Sequence, residues 1–434
     1  GEGNFVRKQR TRQSMWPNRT ARRRPPVPAV VAALAAVLTL GGLTQARTLE
    51  LWNLNVSAAS QAWYLNEFKP AFEARHPGVT VNISFPPQAE FYDRMVVQTV
   101  AGNPPDVFSS NNALFYVEGF SENLGPYLER WDRRHDLLDI AATMISYKGI
   151  VYGIPLGLAP RTLVVNTRIL AESGYDAANP PTEWDEIQTA ARRLTQWSPD
   201  RSQILQAGVA RNTEVWTYQG LTEAYGGRTF DDDGFATFNR PEGVHALESW
   251  GNLLRDVAPP GVPMPGNAEG KTAFFLYTNQ ALFVTAANAG PDIVAQLAVA
   301  PRPVTVQTAS VPLAGAPLGI SAYAQDKQLA WELLAFHFEP EMIWGYNRAQ
   351  GFLPPLKSAL TPDVLEEFPW FALFVEHMAA YGSPLWSITH PQFGIVRPFL
   401  QSAIDAYVRG GGAAQALLDE AARQWDAVVR ERSF

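Results

Sequence analysis

Polar and apolar positions change period along this chain, and each change marks an element. Leu49 to Asn55, LELWNLN, alternates as a strand does and ends in polar residues. From Ala62 to His76 the residues Trp63, Leu65, Phe68, Ala71 and Phe72 fall at helical spacing, until Pro77-Gly78 stops them. VTVNISF, Val79 to Phe85, returns to a strand, and Glu90 to Val100 to a helix. In AGNPPDVFSSNN, Ala101 to Asn112, two prolines forbid helix, Asp106-Val107-Phe108 suits a short buried strand, and Ser109, Ser110, Asn111 and Asn112 open from its carboxyl end. Strand, helix, strand, helix, strand at this spacing predicts a parallel sheet covered on both faces. Polar residues where a buried strand surfaces suit a polar ligand, because open α/β sheets bind beyond their strand ends; a turn with an Asx or Ser cap is the other reading.

The pattern then repeats in a new series. Lys148 to Pro155 reads as a hairpin edge and Arg161 to Asn166 as a central strand. Pro180 to Leu194 is a helix with Thr182 able to cap it and Glu183, Asp185 and Glu186 at the favourable end of its dipole. A second α/β series runs through Trp216–Tyr225, Pro241–Val257 and Thr272–Thr285. The proline-rich piece Ala300 to Pro317 reads as a connector, and DKQLAWELLAFHF and AAQALLDEAARQWDAVV as amphipathic helices.

The amino-terminal 46 residues differ from all that follows. Eight basic residues stand there against Glu2 alone, followed by the apolar run Pro28 to Leu43 and a small-residue exit at Thr44-Gln45-Ala46. That order reads as a secretory signal, with a retained anchor as the other reading and residues 1–14 as a tag or an overextended start. Without it the chain keeps 27 basic and 41 acidic residues, a net charge of −14 against −7 for the whole. An acidic body does not suit a phosphate backbone, so no nucleic-acid partner is expected. The absence of cysteine excludes disulfides, thiolate metal sites, cysteine nucleophiles and lipid attachment through cysteine. The six histidines are scattered outside any HExxH pattern, and Asp231-Asp232-Asp233-Gly234 lacks the spaced ligands of a calcium loop, so no metal and no cofactor are expected.

The order of the pieces carries a resemblance. LELWNLN, AGNPPDVFSSNN, KGIVYGIP, VVNTRILAESGY, PPTEWDEIQTAARRL, AYGGRTFDDDGFATFNRPEGVHALE, EGKTAFFLYTN, DKQLAWELLAFHFEPE and GFLPPLKSAL follow one another as in the extracellular solute-binding proteins of ABC importers. The chain is most similar to the carbohydrate-binding group that includes maltose-binding and glycerol-3-phosphate-binding proteins. The resemblance implies an α/β, two-lobed type II periplasmic binding protein, each lobe a mainly parallel sheet flanked by helices. The first lobe would hold residues 47–156 and 312–352, and the second 157–311 and 353–434. Hinge crossings would fall at Pro155 to Pro160, near Ala300 to Leu313, and around Gly351 to Pro355. It implies a monomeric, exported, soluble protein that is not an enzyme, taking a small carbohydrate and presenting it to an ABC permease in the membrane. A glycerol-3-phosphate or phosphodiester binder is the alternative within the family, and a secreted carbohydrate-active enzyme the alternative outside it.

The resemblance also implies where ligand contacts lie. Ser109, Ser110, Asn111 and Asn112 would meet hydroxyls from the first lobe, with Asn53 and Asn55 beside them and Tyr92 and Gly319 bordering the same cleft. Trp216 aligns with an aromatic that stacks on sugar, core packing being its other reading, and Glu214 with a hydrogen-bonding acid. Where many members have Gly-Pro-Trp, this chain has Thr278-Asn279-Gln280, so a usual stacking tryptophan is missing; Tyr277 could substitute. Arg397 would reach the cleft mouth, where a guanidinium suits phosphate, and equally a sugar hydroxyl, a uronate or a salt bridge.

Overall fold

The structure, a computed structural model, describes residues 47–432 apart from Asn55 and the side chains of residues 88 and 89; the expected signal segment lies outside these residues. The strands are β1 (Arg47–Trp52), β2 (Val79–Ser84), β3 (Val107–Ser109), β4 (Ser146–Tyr147), β5 (Ile150–Val151), β6 (Ile154–Pro160), β7 (Thr162–Asn166), β8 (Gln196–Trp197), β9 (Ile204–Val209), β10 (Thr272–Thr278), β11 (Leu297–Val299), β12 (Val311–Ile320) and β13 (Gly382–Pro384). Four helices border the site: α1 (Ala113–Val117), α2 (Val215–Ala224), α3 (Trp386–Thr389) and α4 (Phe393–Val408).

The molecule is an α/β protein of two lobes, each built on one sheet. The first sheet runs β13-β12-β3-β1-β2, with β6 on the opposite edge of β12. Its β1–β2, β1–β3 and β12–β13 pairs are parallel, as the strand-helix-strand spacing requires. The second runs β11-β7-β10-β9-β8, and here the expectation of a mainly parallel sheet fails: only β9–β10 is parallel. The reason is the way the chain enters. β7 arrives directly from the other lobe and lies antiparallel to both its neighbours, β10 and β11, while β8 turns back on β9 as an antiparallel pair.

The proline-rich connector is also different from its sequence reading. Its second half forms β12, ten residues long, which joins the lobes. Proline cannot donate to a ladder, and Pro317, whose carbonyl accepts from the Ser110 N–H, lies where the ladder is interrupted. On one edge of β12, β13 ends opposite Leu313 and β3 begins opposite Leu318, leaving Ala314 to Pro317 without a partner strand on that side. On the other edge the β6 register shifts between Gly315 and Pro317. Leu353 bridges Leu158 of β6, its N–H donating to the Leu158 carbonyl and its carbonyl accepting from the Leu158 N–H, so the three expected crossings meet side by side. A smaller difference lies at the helix Trp184–Leu194, capped by the backbone of Glu183, while Thr182 is buried and its carbonyl accepts from Thr305.

Each lobe has its own core. Leu49, Leu51, Phe68, Val81 and Leu334 pack in the first, and Leu163, Trp184, Tyr218, Trp250 and Trp425 in the second. A third cluster runs through the crossings, joining Phe108 and Phe115 to Leu158, Leu313 and Leu353 and on to Phe275 and Phe283. Among the described residues no helix is long and apolar enough to cross a membrane.

Candidate functional site

The first-lobe wall is made by the carboxyl ends of β1 and β3, and most of its polar residues hold one another. Asn53 donates from Nδ2 to the Tyr64 hydroxyl at 2.8 Å and accepts from Ser109 Oγ at 2.9 Å, while Ser109 Oγ accepts from the Leu54 N–H at 3.0 Å. Tyr64 in turn donates to Nε2 of His337 at 3.1 Å, and the His337 Nδ1–H donates to the Leu333 carbonyl at 2.9 Å. Every member of this buried chain is satisfied, which fixes the two strand ends against each other. Asn53 and Ser109, expected to touch a ligand, therefore position the wall. Ser110 is likewise spent, its hydroxyl donating to Tyr152 O at 3.2 Å and its carbonyl accepting from Tyr116 at 2.7 Å. Gly319 lies behind it: a Cβ there would come within 2.5 Å of Tyr152 O, so this glycine is needed for close packing.

Asn112 caps α1 through the Leu114 N–H at 3.0 Å. Asn111, half-buried beside it, has no hydrogen bond to any described residue and is the first-wall residue left to present its amide. Tyr92 is half-buried with its ring stacked 5.9 Å from Phe115, and burial pushes its phenol up. Asn55 is outside the described residues.

The second wall lies beyond the carboxyl ends of the parallel pair β9 and β10, where α/β sheets bind ligands. A cavity of about 420 Å³ opens there, lined by Arg161, the run Ala210 to Glu214, and Thr278 at the end of β10. Glu214, more than half exposed, precedes α2 and places Oε2 3.9 Å from Arg161 Nη1. Trp216 lies two residues on, in the first turn of α2. One ring contact is a stack on Phe393 at 5.4 Å, another an edge on Trp386 at 5.8 Å, and the Arg397 guanidinium lies 6.0 Å from its ring centre. Trp216 is half-buried and Arg397 exposed, so the aromatic group borders solvent without leaving the core.

Tyr277, Asn279 and Gln280 are placed otherwise than their alignment implied. The β10 register shifts between Phe275 and Thr278, and Tyr277 takes φ +48°. That irregularity turns its ring into the lobe, against Gly220, where any Cβ would lie 2.1 Å from it. Burial pushes the Tyr277 phenol up, with the Glu223 charge adding to the effect. Asn279 accepts from the Ala281 N–H at 3.1 Å, and Gln280 is buried, donating to Leu158 O at 3.2 Å.

A second cavity, of about 450 Å³, lies between the β4–β5 hairpin and the second lobe; Tyr147 and Lys148 face Gln219, Glu223, Thr229 and Trp386 across it. Trp216, Gln219 and Glu223 fall on one stripe of α2. Glu223 accepts from Gln219 Nε2 at 2.9 Å, Ser383 Oγ at 3.1 Å and the Ser310 hydroxyl; burial pushes its carboxyl up and these bonds partly offset that. Gln219 Oε1, Thr229 Oγ1 and Trp386 Nε1 are buried here without partners. Neither Arg161 nor the Gln219/Glu223 pair stood out in the sequence. Arg161 directly follows the first expected crossing, which was the available signal, whereas Glu223 is brought to Ser310 and Ser383 only by the fold. No cluster of His, Asp or Glu suited to a metal occurs among the described residues.

The walls, the crossings and the cavity beyond a parallel strand pair are those of a cleft-type binding protein. The chain belongs to the bacterial extracellular solute-binding protein family, whose model matches residues 56–343. It is 21% identical over 378 residues to a putative binding protein of Brucella abortus, covering 85% of this chain and 90% of that protein, and 23% identical over 349 residues to the maltotriose-binding protein of Pyrococcus abyssi, covering 76% of this chain and 71% of that protein. Among solved structures it is similar to the sugar-binding protein MalE of Xanthomonas citri, with a TM-score of 0.75 at 19% identity over 89% of this chain and 98% of that one. It is similar also to an ABC transporter solute-binding protein of Thermotoga lettingae bound with alpha-D-tagatose, with a TM-score of 0.70 at 21% identity, covering 88% of this chain and all of that one.

Proposed function

We propose that this protein is the solute-binding component of an ABC importer, taking a mono- or oligosaccharide into the cleft between its lobes and presenting it to a membrane permease. The observation that carries the reading is the cavity beyond β9 and β10, with Glu214 on its wall and Trp216 two residues on, in the first turn of α2. Sugars present hydroxyl edges and C–H faces, and an amide or carboxylate edge beside an indole meets both. Asn111 would close on the solute from the first lobe, and Arg397 would support Trp216 from the mouth. That relatives are a maltotriose-binding protein and a tagatose-bound structure supports a carbohydrate. The lobes would close about β6, residues 300–313 and residues 351–355, with 47–156 plus 312–352 moving against 157–311 plus 353–434. The protein would act in the periplasm, as a monomer, without chemical turnover.

Native mass spectrometry of freshly purified protein, followed by calorimetry with the sugar identified, tests the reading. A retained hexose or oligosaccharide, recovered unaltered, is the expected result. Small-angle scattering should show a smaller radius with saturating sugar. Binding with no change in radius would remove the hinge from the mechanism, and a cleaved or rearranged sugar would remove the binding-only reading.

A further inference from the structure

Arg161 is the single residue between β6, which belongs to the first sheet, and β7, which belongs to the second. Its N–H donates to Pro312 O on β12 at 2.9 Å, which pins the main chain where it changes lobe. Its side chain turns into the cavity beyond β9 and β10, keeping 19% exposure. There it makes no hydrogen bond to any described residue. Nε is buried without a partner, and the nearest carboxylate oxygen, Glu214 Oε2, is 3.9 Å from Nη1, beyond hydrogen-bond reach.

That is an unusual state for a guanidinium. Arginine carries five N–H donors in a planar fork and does not lose its proton in proteins, so burial without partners leaves charge and donors uncompensated. The second guanidinium of the cavity shows the ordinary solution. Arg211 donates to the carbonyls of Ala258, Pro259 and Val262 at 2.8, 2.6 and 2.7 Å, and is spent as a brace. Arg161 is unspent. Glu214 lies more than half in solvent, where water weakens its pull on the arginine, and it stays free to accept a hydroxyl. Arg397, the arginine expected at the cleft mouth, is exposed above Trp216 and screened by the same solvent.

Resting on the carbohydrate reading above, we infer that the solute is an acidic sugar whose anionic group, carboxylate or phosphate, docks on the fork of Arg161. Two oxygens of one anion match two N–H groups of the fork, and such charge-assisted pairs are about twice as strong as neutral hydrogen bonds. Because Arg161 sits at the crossing itself, the anion would be held at the point where the two lobes join.

The test is calorimetry on the full chain with matched pairs: D-glucuronate against D-glucose, D-galacturonate against D-galactose, and glucose 6-phosphate as the phosphate arm. The expected result is an acidic member bound at least about tenfold more tightly than its neutral partner, a difference of about 1.4 kcal/mol. That preference should shrink with added salt, disappear in Arg161→Met and survive in part in Arg161→Lys, which keeps the charge and loses the fork. The carboxylate and phosphate arms then say which anion is meant. Should Arg161→Met not fold, the salt dependence and the lysine variant still decide. Neutral sugars binding as tightly as their acids, or an acid preference that persists in Arg161→Met, would overturn the inference and leave the sugar reading standing. Failure of every acid and every neutral sugar to bind would overturn both.

Discussion

His337 offers a quantitative test of the buried chain that holds the first wall. Its ring is wholly buried, Nδ1–H is committed to the Leu333 carbonyl, and Nε2 accepts from Tyr64. A proton added at Nε2 would displace the Tyr64 bond and place a charge in a dry core. Burial accordingly brings the imidazole from 6.5 down to about 3, the two backbone carbonyls opposing only part of that. The folded value lies below the unfolded one, so the unfolded chain binds the extra proton. Stability from the neutral ring is complete above 6.5 and is lost as pH falls from 6.5 toward about 3. The loss is about 1.4 kcal/mol per pH unit in that window, or about 2 kcal/mol at about pH 5. His390 and His377 are also pulled down by burial and act in the same direction. Glu223 and Asp106 are pushed up by burial and act oppositely, gaining native-state stability as they protonate, so the slope of the whole protein mixes signs. Comparison with His337→Gln isolates the one ring. At about pH 7.5 the variant should be less stable by about 1–3 kcal/mol through its lost hydrogen bonds. At about pH 5 that deficit should shrink by about 2 kcal/mol, because the wild type alone carries the histidine penalty. Urea unfolding followed by tryptophan fluorescence at both pH values measures it. A deficit that is the same at both would mean that His337 titrates normally in the fold and that the Tyr64 bond does not hold it neutral.

Three substitutions probe the walls. Asn53→Ala removes two buried hydrogen bonds and strands the Ser109 proton, which should cost about 2–3 kcal/mol in urea unfolding while sugar affinity changes less than in Trp216→Ala; the reverse order would make Asn53 a ligand contact. Trp216→Ala should lower sugar affinity several-fold in calorimetry and cost about 1–3 kcal/mol of stability from its lost aromatic contacts. Unchanged affinity in the folded variant would assign Trp216 to the core alone. Gly319→Ala should lower the thermal midpoint, because its Cβ would meet Tyr152 O and overpacking costs about 1–3 kcal/mol; an unchanged midpoint would show that the wall can yield.

Periodicity sufficed for the elements whose burial is local. Leu49, Leu51 and Val81 alternate inward on strands paired in sequence order, and Trp184, Ile187 and Leu194 recur on one helix face, so their partners are implied by spacing alone. Prolines, which stop ordinary ladders, concentrate where the chain passes from β6 to β7 and into β12, between the two sheets. The direction of the second sheet was not legible in the sequence, since parallel or antiparallel pairing depends on which lobe a strand comes from. Nor was the strand character of β12, whose Pro317 is tolerated because it falls in the gap between β13 and β3, while Pro312 stays paired with Ser383 of β13. Polar residue types gave the composition of the first wall but not its division of labour. Asn53 and Ser109 look like ligand groups in one dimension, and only packing against Tyr64 and His337 shows their donors and acceptors already used. Arg161 is the converse case. Sequence reads it as an ordinary charge after a proline, and a buried guanidinium with no side-chain hydrogen bond exists only once the fold encloses it, because burial and pairing are properties of the space around a side chain.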